Sequence, residues 1–425
     1  MAQNIDKFSK DWWNTFLERT GDLSKTSVFK NCLDTETTLR FRKYVLQIVQ
    51  SLAKLRTDQY GYRVYIDGKK LLNDEMNAIY DACPLDDDTI ESWSKRVFKD
   101  KKFGIILNVG EKFNPSLSKE IALLVEPYLE IIGFPRDGIN FSIFIGDYDK
   151  TPLGIHQDPP GQDVMHFHLG PGDKTMYTWG RQQYEDLTIN TGYDKQDLQK
   201  LLPLSQEFTF GEGDMYFMPE GEYHIGKQDG LSVAITFWRY NHNESIFLKR
   251  LQQILFNQYF TDNSTLLEQD KNSLDDTSSI NNILKNIQLP NDLENLTYKE
   301  LLKETYSDLR YSIHSNAGYR SAMFPIKEQI TLKKDDVIQL EKPFKILYKE
   351  SRSKEKLYVF VRGTKLEFNN FNEIKNIINE INIGKPLAIS NLLLLLPKDW
   401  DPETGIYILS LLYKKHGIII KSTNS

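Results

Sequence analysis

The sequence predicts a mainly β protein flanked by helices, with a separate α+β unit at its C-terminal end. Three observations lead there. Between 140 and 238, short apolar strands (140–146, 164–169, 174–179, 215–218 and 231–238) are separated by Gly- and Pro-rich turns. On either side of that stretch, apolar residues recur at helical spacing. The last hundred residues then run as strands, three helical patterns and a closing strand. The expected divisions are a helical region at 1–102 packed on a barrel, a β core at 103–242, a helical linker or dimerisation region at 243–320, and the C-terminal unit at 321–425.

Composition sets the outer bounds. A chain of 425 residues with 40% hydrophobic and 26% charged residues has enough apolar material for two or three domains. The 22 Tyr and 23 Phe suit a β-rich fold with aromatic-lined pockets. No apolar run reaches the length of a membrane span, Asn391-Leu-Leu-Leu-Leu-Leu396 being far too short. The opening Met-Ala-Gln-Asn-Ile-Asp-Lys-Phe lacks the basic and apolar regions of a signal peptide. With only Cys32 and Cys83, a disulfide framework is not expected, and a cytoplasmic location is. The net charge of −6 is uneven: residues 321–425 carry 17 Lys+Arg against 12 Asp+Glu. That excess is compatible with an acidic partner or nucleic acid, and equally with a solvated surface.

Taken in order, Asp11-Trp-Trp-Asn-Thr-Phe-Leu and Thr38 to Leu52 carry helical stripes. Tyr62-Arg-Val-Tyr-Ile-Asp67-Gly68 reads as a strand entering a turn. Strands at Phe103–Val109 and Asn140–Ile145 bracket a helix at Ser116–Ile132 that opens on Asn114-Pro-Ser. A polar insertion runs from Gly180 to Gln206. A helix at Ser245–Phe260, a loop or linker at Thr261–Ile280 and a helix at about 297–314 follow. These helices would serve for packing on their own barrel or for a homodimer. In the last unit, strands are expected at Val337–Leu340, Phe344–Tyr348 and Leu357–Gly363. Helices follow at Phe371–Ile383, Ile389–Leu396 and Asp401–Lys415, with a final strand at Gly417–Lys421.

The stretch from Thr151 to Trp238 carries the chemistry. His156 and Asp158 are two residues apart, so on a strand both side chains leave by one face. A second strand carrying His224 would complete a face of two histidines and one carboxylate. That set leaves adjacent positions open on a non-haem Fe(II) ion for a cosubstrate and O₂. A rival register pairs His166 with His168. If Asp163 points into the barrel, so do Met165, Phe167 and Leu169, while His166 and His168 point outward. Strand parity therefore favours His156 and Asp158. Asp163 reads either as an acceptor orienting a ligand or substrate or as a turn residue. Asp214 reads as a stabiliser of the turn before its strand.

The spacing His156-x-Asp158-x4-Asp163-x6-Gly170 resembles the first cupin motif, with Asp replacing its second His and its Glu. Gly213-x5-Pro219-x-Gly221-x2-His224 resembles the second, ending on Gln228 in place of Asn. The strand Val164–Leu169 turns at Gly-Pro-Gly-Asp173 into Lys174. With Gly213-Asp-Met-Tyr-Phe-Met-Pro219 and Ala234-Ile-Thr-Phe-Trp238, it is similar to the closing strands of JmjC-type Fe(II)/2-oxoglutarate-dependent oxygenases. That subgroup includes the asparaginyl hydroxylase of hypoxia-inducible factor and the ribosomal-protein hydroxylases. The resemblance covers roughly 140–240. It departs from the usual pattern in placing Thr151 five residues before His156 rather than three.

The resemblance implies a double-stranded β-helix, the cupin/JmjC jelly roll, with a winged-helix-like C-terminal domain, and an insertion from Gly180 to Gln206 that helps to cover the site. It further implies Fe(II) on His156, Asp158 and His224, and 2-oxoglutarate with its distal carboxylate on Lys174. Thr151 and Thr236 fall near that cosubstrate and Trp238 beside the metal, although all three also suit a barrel core, and Lys174 also suits a hairpin surface. The implied activity is hydroxylation of a protein or peptide side chain, with succinate and CO₂ as coproducts. Two other classes stay open: a cosubstrate-free cupin metalloenzyme, and a non-catalytic cupin binding or regulatory protein.

Overall fold

The structure, a computed structural model, describes residues 6–421 except 152, 196, 229, 262–264 and 329, and not the side chain of Asn73. Four strands precede the central barrel: β1 (Ser27–Phe29), β2 (Arg63–Ile66), β3 (Lys69–Lys70) and β4 (Phe103–Leu107). Eight more follow: β5 (Ile139–Asp147), β6 (His156–Gln157), β7 (Gln162–Pro171), β8 (Lys174–Trp179), β9 (Gln206–Phe210), β10 (Met215–Met218), β11 (Tyr223–Gln228) and β12 (Ser232–Tyr240). They form two antiparallel sheets. The larger has the order β1-β10-β7-β12-β5-β4-β2-β3 and the smaller β6-β11-β8-β9. From β5 to β8, and again from β9 to β12, successive strands alternate between the sheets, and one cavity is lined from both.

The helices before the barrel start where the chemistry of the chain dictates. Asp34 caps Thr35–Leu55 by accepting from the Thr37 amide at 2.7 Å, and Asn114 caps Pro115–Ile132 by accepting from Leu117 at 2.9 Å. Ser9 caps Lys10–Arg19 in the same way. Phe41, Val45, Ile48 and Leu52 recur on one face of the second helix and are buried, as are Trp13 and Phe16 of the first. These side chains share a single core with Ile143, Met165, Phe167, Met215, Ile235 and Phe237 of the large sheet.

That packing reverses the orientation expected of β7. Met165, Phe167 and Leu169 point away from the barrel, into the helix layer. Val164 and His166 point into the cavity. The expectation took the apolar face of the strand for the barrel interior. In fact the large sheet is covered on its outside by helices, so the apolar alternation faces them and the polar alternation faces in.

The insertion after β8 also departs from expectation. Its helix Arg181–Thr191 packs through Tyr184, with Leu201, on Ile155, Trp179 and Ile225 behind the small sheet. None of the described residues of 180–206 lines the cavity, which is bordered instead by Tyr148, Leu153, Gln157 and Pro159. An apolar outer face on the small sheet needs a cover, and this segment supplies it.

Beyond the barrel, Glu244–Tyr259 and Tyr298–Ser315 pack together through Leu251, Leu302, Leu309 and Ile313. Within the linker expected at 261–280, residues 262–264 lie outside those described. The last unit has β13 (Val337–Leu340), β14 (Leu347–Glu350), β15 (Lys356–Val361), β16 (Thr364–Asn369), β17 (Leu387–Ala388) and β18 (Ile418–Lys421). They form two three-stranded sheets, β17-β13-β18 and β14-β15-β16. Helices Asn372–Asn382, Ile389–Leu393 and Pro402–Lys414 share a core with Ile338, Leu357, Val359 and Ile418. The strand expected at 344–348 starts only at Leu347, because Phe344 lies beneath the Arg362 guanidinium, 3.3 Å from it. Among the described residues no helix is long and apolar enough to cross a membrane.

The two faces of β7 differ in what they cost to cut. Phe167→Ala is expected to lower unfolding stability by about 3–5 kcal/mol, because a fully buried ring leaves a cavity against the helices. Urea denaturation measures this, and a loss below about 1 kcal/mol would place Phe167 on the barrel side after all.

Candidate metal centre and its cavity

Three strand positions bring the predicted ligands together. β6 and β11 pair antiparallel with His156 directly opposite His224. Their rings lie 4.3 Å apart between centroids. Asp158 follows β6 by one residue, and its Oδ2 is 3.9 Å from His224 Nε2. One ligand atom from each of His156, Asp158 and His224 falls within 4.8 Å of the others. Both imidazoles are anchored from behind: His156 Nδ1 is 2.9 Å from the Gly154 carbonyl and His224 Nδ1 3.3 Å from that of Glu222. A carbonyl oxygen can only accept, so each Nδ1 carries the hydrogen and each Nε2 keeps its lone pair for a metal.

Burial keeps this set electrically lean. Desolvation, and then the neighbouring His224, lower the pKa of His156; desolvation brings that of His224 down to about 4. Both rings are therefore neutral at pH 7, as metal ligation requires. Burial pushes the Asp158 carboxyl up, against the pull of His156, and its Oδ2 is buried with no hydrogen-bond partner. An orphaned carboxylate oxygen between two free imidazole lone pairs fits a divalent cation.

The cavity beyond the triad measures about 380 Å³. Lys174, the first residue of β8, enters it from the small sheet and is 6% exposed. Its Nζ lies 5.8 Å from the Phe144 ring centre, and no hydrogen bond or ion pair to it occurs among the described residues. Desolvation lowers its pKa to about 8. Gly226 of β11, which pairs with Met176, leaves room for it: a Cβ there would meet Lys174 Cε at 3.1 Å and Met176 Sδ at 3.0 Å. The stem of Lys174 thus occupies space that any other residue at 226 would contest.

The remaining predicted residues divide. Thr236 and Trp238 line the cavity from β12; the Thr236 hydroxyl is 3.0 Å from His166 Nδ1, and Trp238 Nε1 is buried without a partner. Thr151 lines it too, but its hydroxyl is engaged with the Gly226 backbone, donating to the carbonyl at 3.0 Å and accepting from the amide at 3.1 Å. It clamps a loop to β11. Asp163 is not in the cavity. It sits on the helix-facing side of β7 in a forked pair with the Arg239 guanidinium, Oδ1 3.1 Å and Oδ2 2.9 Å from Nε. The odd-numbered residues of β7 face outward, and Asp163 is one of them, so the turn of the strand takes it away from the cavity. Asp214 holds its turn, accepting from the Asn31 amide at 2.9 Å and the Gly211 amide at 2.8 Å.

Sequence reasoning missed His166, Ser142, Asn108, Tyr148, Tyr216 and Arg63 as cavity-lining residues. His166 had been set aside as outward-facing. Its Nε2 is buried, unpartnered and on the cavity side, and burial holds the ring neutral. The helical stripe at 38–52 was the available signal, because a helix layer outside the sheet dictates which strand face is apolar.

No protein-family model matches the chain, and comparison with curated protein sequences gives no match. Among solved structures the chain is similar to the ribosomal oxygenase YcfD from Escherichia coli, with 14% identity and a TM-score of 0.47 over 96% of this chain and 98% of that one. Forms of YcfD in complex with cobalt and succinic acid, and with cobalt and 2-oxoglutarate, give TM-scores of 0.46 and 0.45 at 14% and 13% identity over the same shares.

A buried, unpaired ammonium is a stability cost. Lowering Lys174 from 10.5 to about 8 corresponds to roughly 3 kcal/mol at pH 7. That cost is full below pH 8, where the folded state must keep a charged lysine, and fades as pH rises from 8 to 10.5. Lys174→Met should therefore be more stable than the parent at pH 7, with the difference shrinking by pH 10. Urea midpoints at the two pH values test it; a variant less stable at pH 7 would mean that the ammonium has a partner.

Proposed function

We propose that this chain is an Fe(II)- and 2-oxoglutarate-dependent dioxygenase built on a double-stranded β-helix, and that it hydroxylates a protein or peptide side chain. The observation that carries the reading is the pairing, in one cavity, of a two-histidine, one-carboxylate triad with an unpartnered buried lysine. A cupin enzyme without a cosubstrate, or a cupin binding protein, gains nothing from Lys174 and bears its desolvation cost. The strand orders β10-β7-β12-β5 and β9-β8-β11-β6 support the barrel reading. The helices and the sheet β17-β13-β18 support a winged-helix-like C-terminal module.

Bound Fe(II), with 2-oxoglutarate and O₂, would supply the oxidation of a substrate C–H bond, with succinate and CO₂ as coproducts. His156 and His224 would hold the ion through Nε2, their planes fixed by the Nδ1–H bonds to Gly154 and Glu222. Asp158 would give the single anionic ligand, so a divalent ion there keeps one net positive charge and favours an incoming anion. Lys174 would hold its proton on Nζ and pair with the distal carboxylate of 2-oxoglutarate. Ile106, Phe144, Val164, Met176 and Met218 line the same space and would limit the water around that pair.

The anaerobic Fe(II) protein titrated with 2-oxoglutarate should develop a saturable charge-transfer band in the visible region. His156→Ala should abolish the band, and Lys174→Met should weaken cosubstrate binding by about a hundredfold, the loss of one buried charge-assisted pair. Absence of the band in a protein with iron bound would sink the reading. The pH dependence follows from Lys174: only its protonated form pairs with a carboxylate, so affinity should fall as pH passes 8, about tenfold between pH 7 and pH 9. A flat profile over that range would take Lys174 out of the cosubstrate site.

A further inference from the structure

The cavity holds a second cation for which the reading above has no use. Arg63 of β2 lines it, the Arg63 Nε is buried without a hydrogen-bond partner, and no ion pair to its guanidinium occurs among the described residues. Register fixes where it stands. Arg63 is directly opposite Ile106 of β4, and Ile106 is opposite Phe144 of β5. Arg63, Ile106 and Phe144 thus form one cross-sheet row. Two strand spacings, about 10 Å, separate the Arg63 backbone from that of Phe144. Lys174 Nζ lies 5.8 Å from the Phe144 ring centre at the other end of this row, and both cations line the one cavity.

Counting charges assigns one cation and leaves the other. A divalent ion on the triad has one net positive charge, and Lys174 adds one; dianionic 2-oxoglutarate cancels both. Arg63 is the remainder. A guanidinium with a buried, unsatisfied N–H is stabilised by an anion that offers two oxygens. Among the described residues the single acid in the lining is Asp158, already committed to the triad. The cavity therefore has no carboxylate to receive a cationic substrate side chain, a lysine, an arginine or a methylammonium. Asn108, Ser142, Gln162 and Tyr240 line the rest with neutral polar groups.

We infer that the substrate oxidised in this cavity carries a carboxylate, and that Arg63 receives it and thereby positions the substrate over the metal. This inference rests on the 2-oxoglutarate reading of the same site. The carboxylate belongs either to an aspartyl or glutamyl side chain of a polypeptide or to a small carboxylic acid.

The full-length protein, loaded with Zn(II) in place of iron and saturated with 2-oxoglutarate, provides the test. Acetylated, amidated pentapeptides Gly-Gly-X-Gly-Gly with X as Asp, Glu, Asn or Arg, and free N-acetylaspartate, are titrated by calorimetry and by ligand-observed NMR. The acidic ligands should bind at least about tenfold more tightly than the Asn and Arg peptides. Arg63→Met should cut that preference below about threefold while leaving 2-oxoglutarate affinity within about twofold, and Arg63→Lys should retain part of it. An acidic peptide binding more tightly than N-acetylaspartate assigns the carboxylate to a polypeptide, and the reverse to a small acid. The inference is overturned by an Asp peptide no better than Asn, by preference for Arg, or by binding of none of the ligands. It is also overturned if Arg63→Met weakens 2-oxoglutarate by about tenfold, which would put Arg63 in the cosubstrate site. Failure of the parent Zn(II) protein to bind 2-oxoglutarate is a separate result and counts against the oxygenase reading itself.

Discussion

The arrangement depends on one seal: the helix layer pressed on the outer face of the eight-stranded sheet. Trp13, Phe16, Phe41 and Val45 from the helices meet Phe141, Phe167, Phe217 and Ile235 from the strands in a single core. Each of those strand residues alternates with one on the other face. Once the odd positions of β7 and β12 are spent on the seal, the even ones must look inward. Among them are Val164, His166, Thr236 and Trp238. The barrel can keep a polar interior because its hydrophobic free energy is gathered outside it.

That interior is polar but nearly free of negative charge. Three neutral imidazoles, one carboxylate, and a lysine and an arginine without counter-ions among the described residues make a site whose electrostatics are incomplete, and incompleteness of this kind is what a ligand relieves. The desolvation that lowers Lys174 also lowers His166, His168 and His224. One physical cause thus readies metal ligands and anion receptor together.

Much of this could be read from the chain. His-x-Asp on a strand and His224 after Gly213-x5-Pro219 located the triad because period-2 geometry and a turn-to-strand pattern are local properties. The helix start at Asn114-Pro-Ser likewise needed only its own residues. What escaped was set by distant neighbours. Which face of β7 is interior depends on helices more than 100 residues earlier, so Asp163 and His166 exchanged places. Arg63 stands on a strand that joins the sheet beside β4, and nothing in Tyr62-Arg-Val-Tyr-Ile announces a cavity. Only the family resemblance put the insertion after β8 over the site. Tyr184 and Leu201 are its anchors, and they serve the back of the small sheet.

A three-residue strand at the edge of the large sheet ties the barrel to the start of the chain. β1 pairs with β10, Ser27 opposite Phe217 and Phe29 opposite Met215. Gly213, at a φ of 82°, lies so close to the Leu33 carbonyl that a Cβ there would come within 2.4 Å of it. The glycine that opens the second motif therefore answers to a segment made some 180 residues before it. During synthesis, the edge of β10 and its predestined partner are separated by most of the barrel. Until the ribosome has passed β10, residues 27–33 are an unpaired strand waiting for an edge, and the metal site's own strand, β11, is made only after that. Closure of the sheet and assembly of the site are thus late events, governed by long-range pairing, and the N-terminal helices must hold their apolar faces in reserve until then.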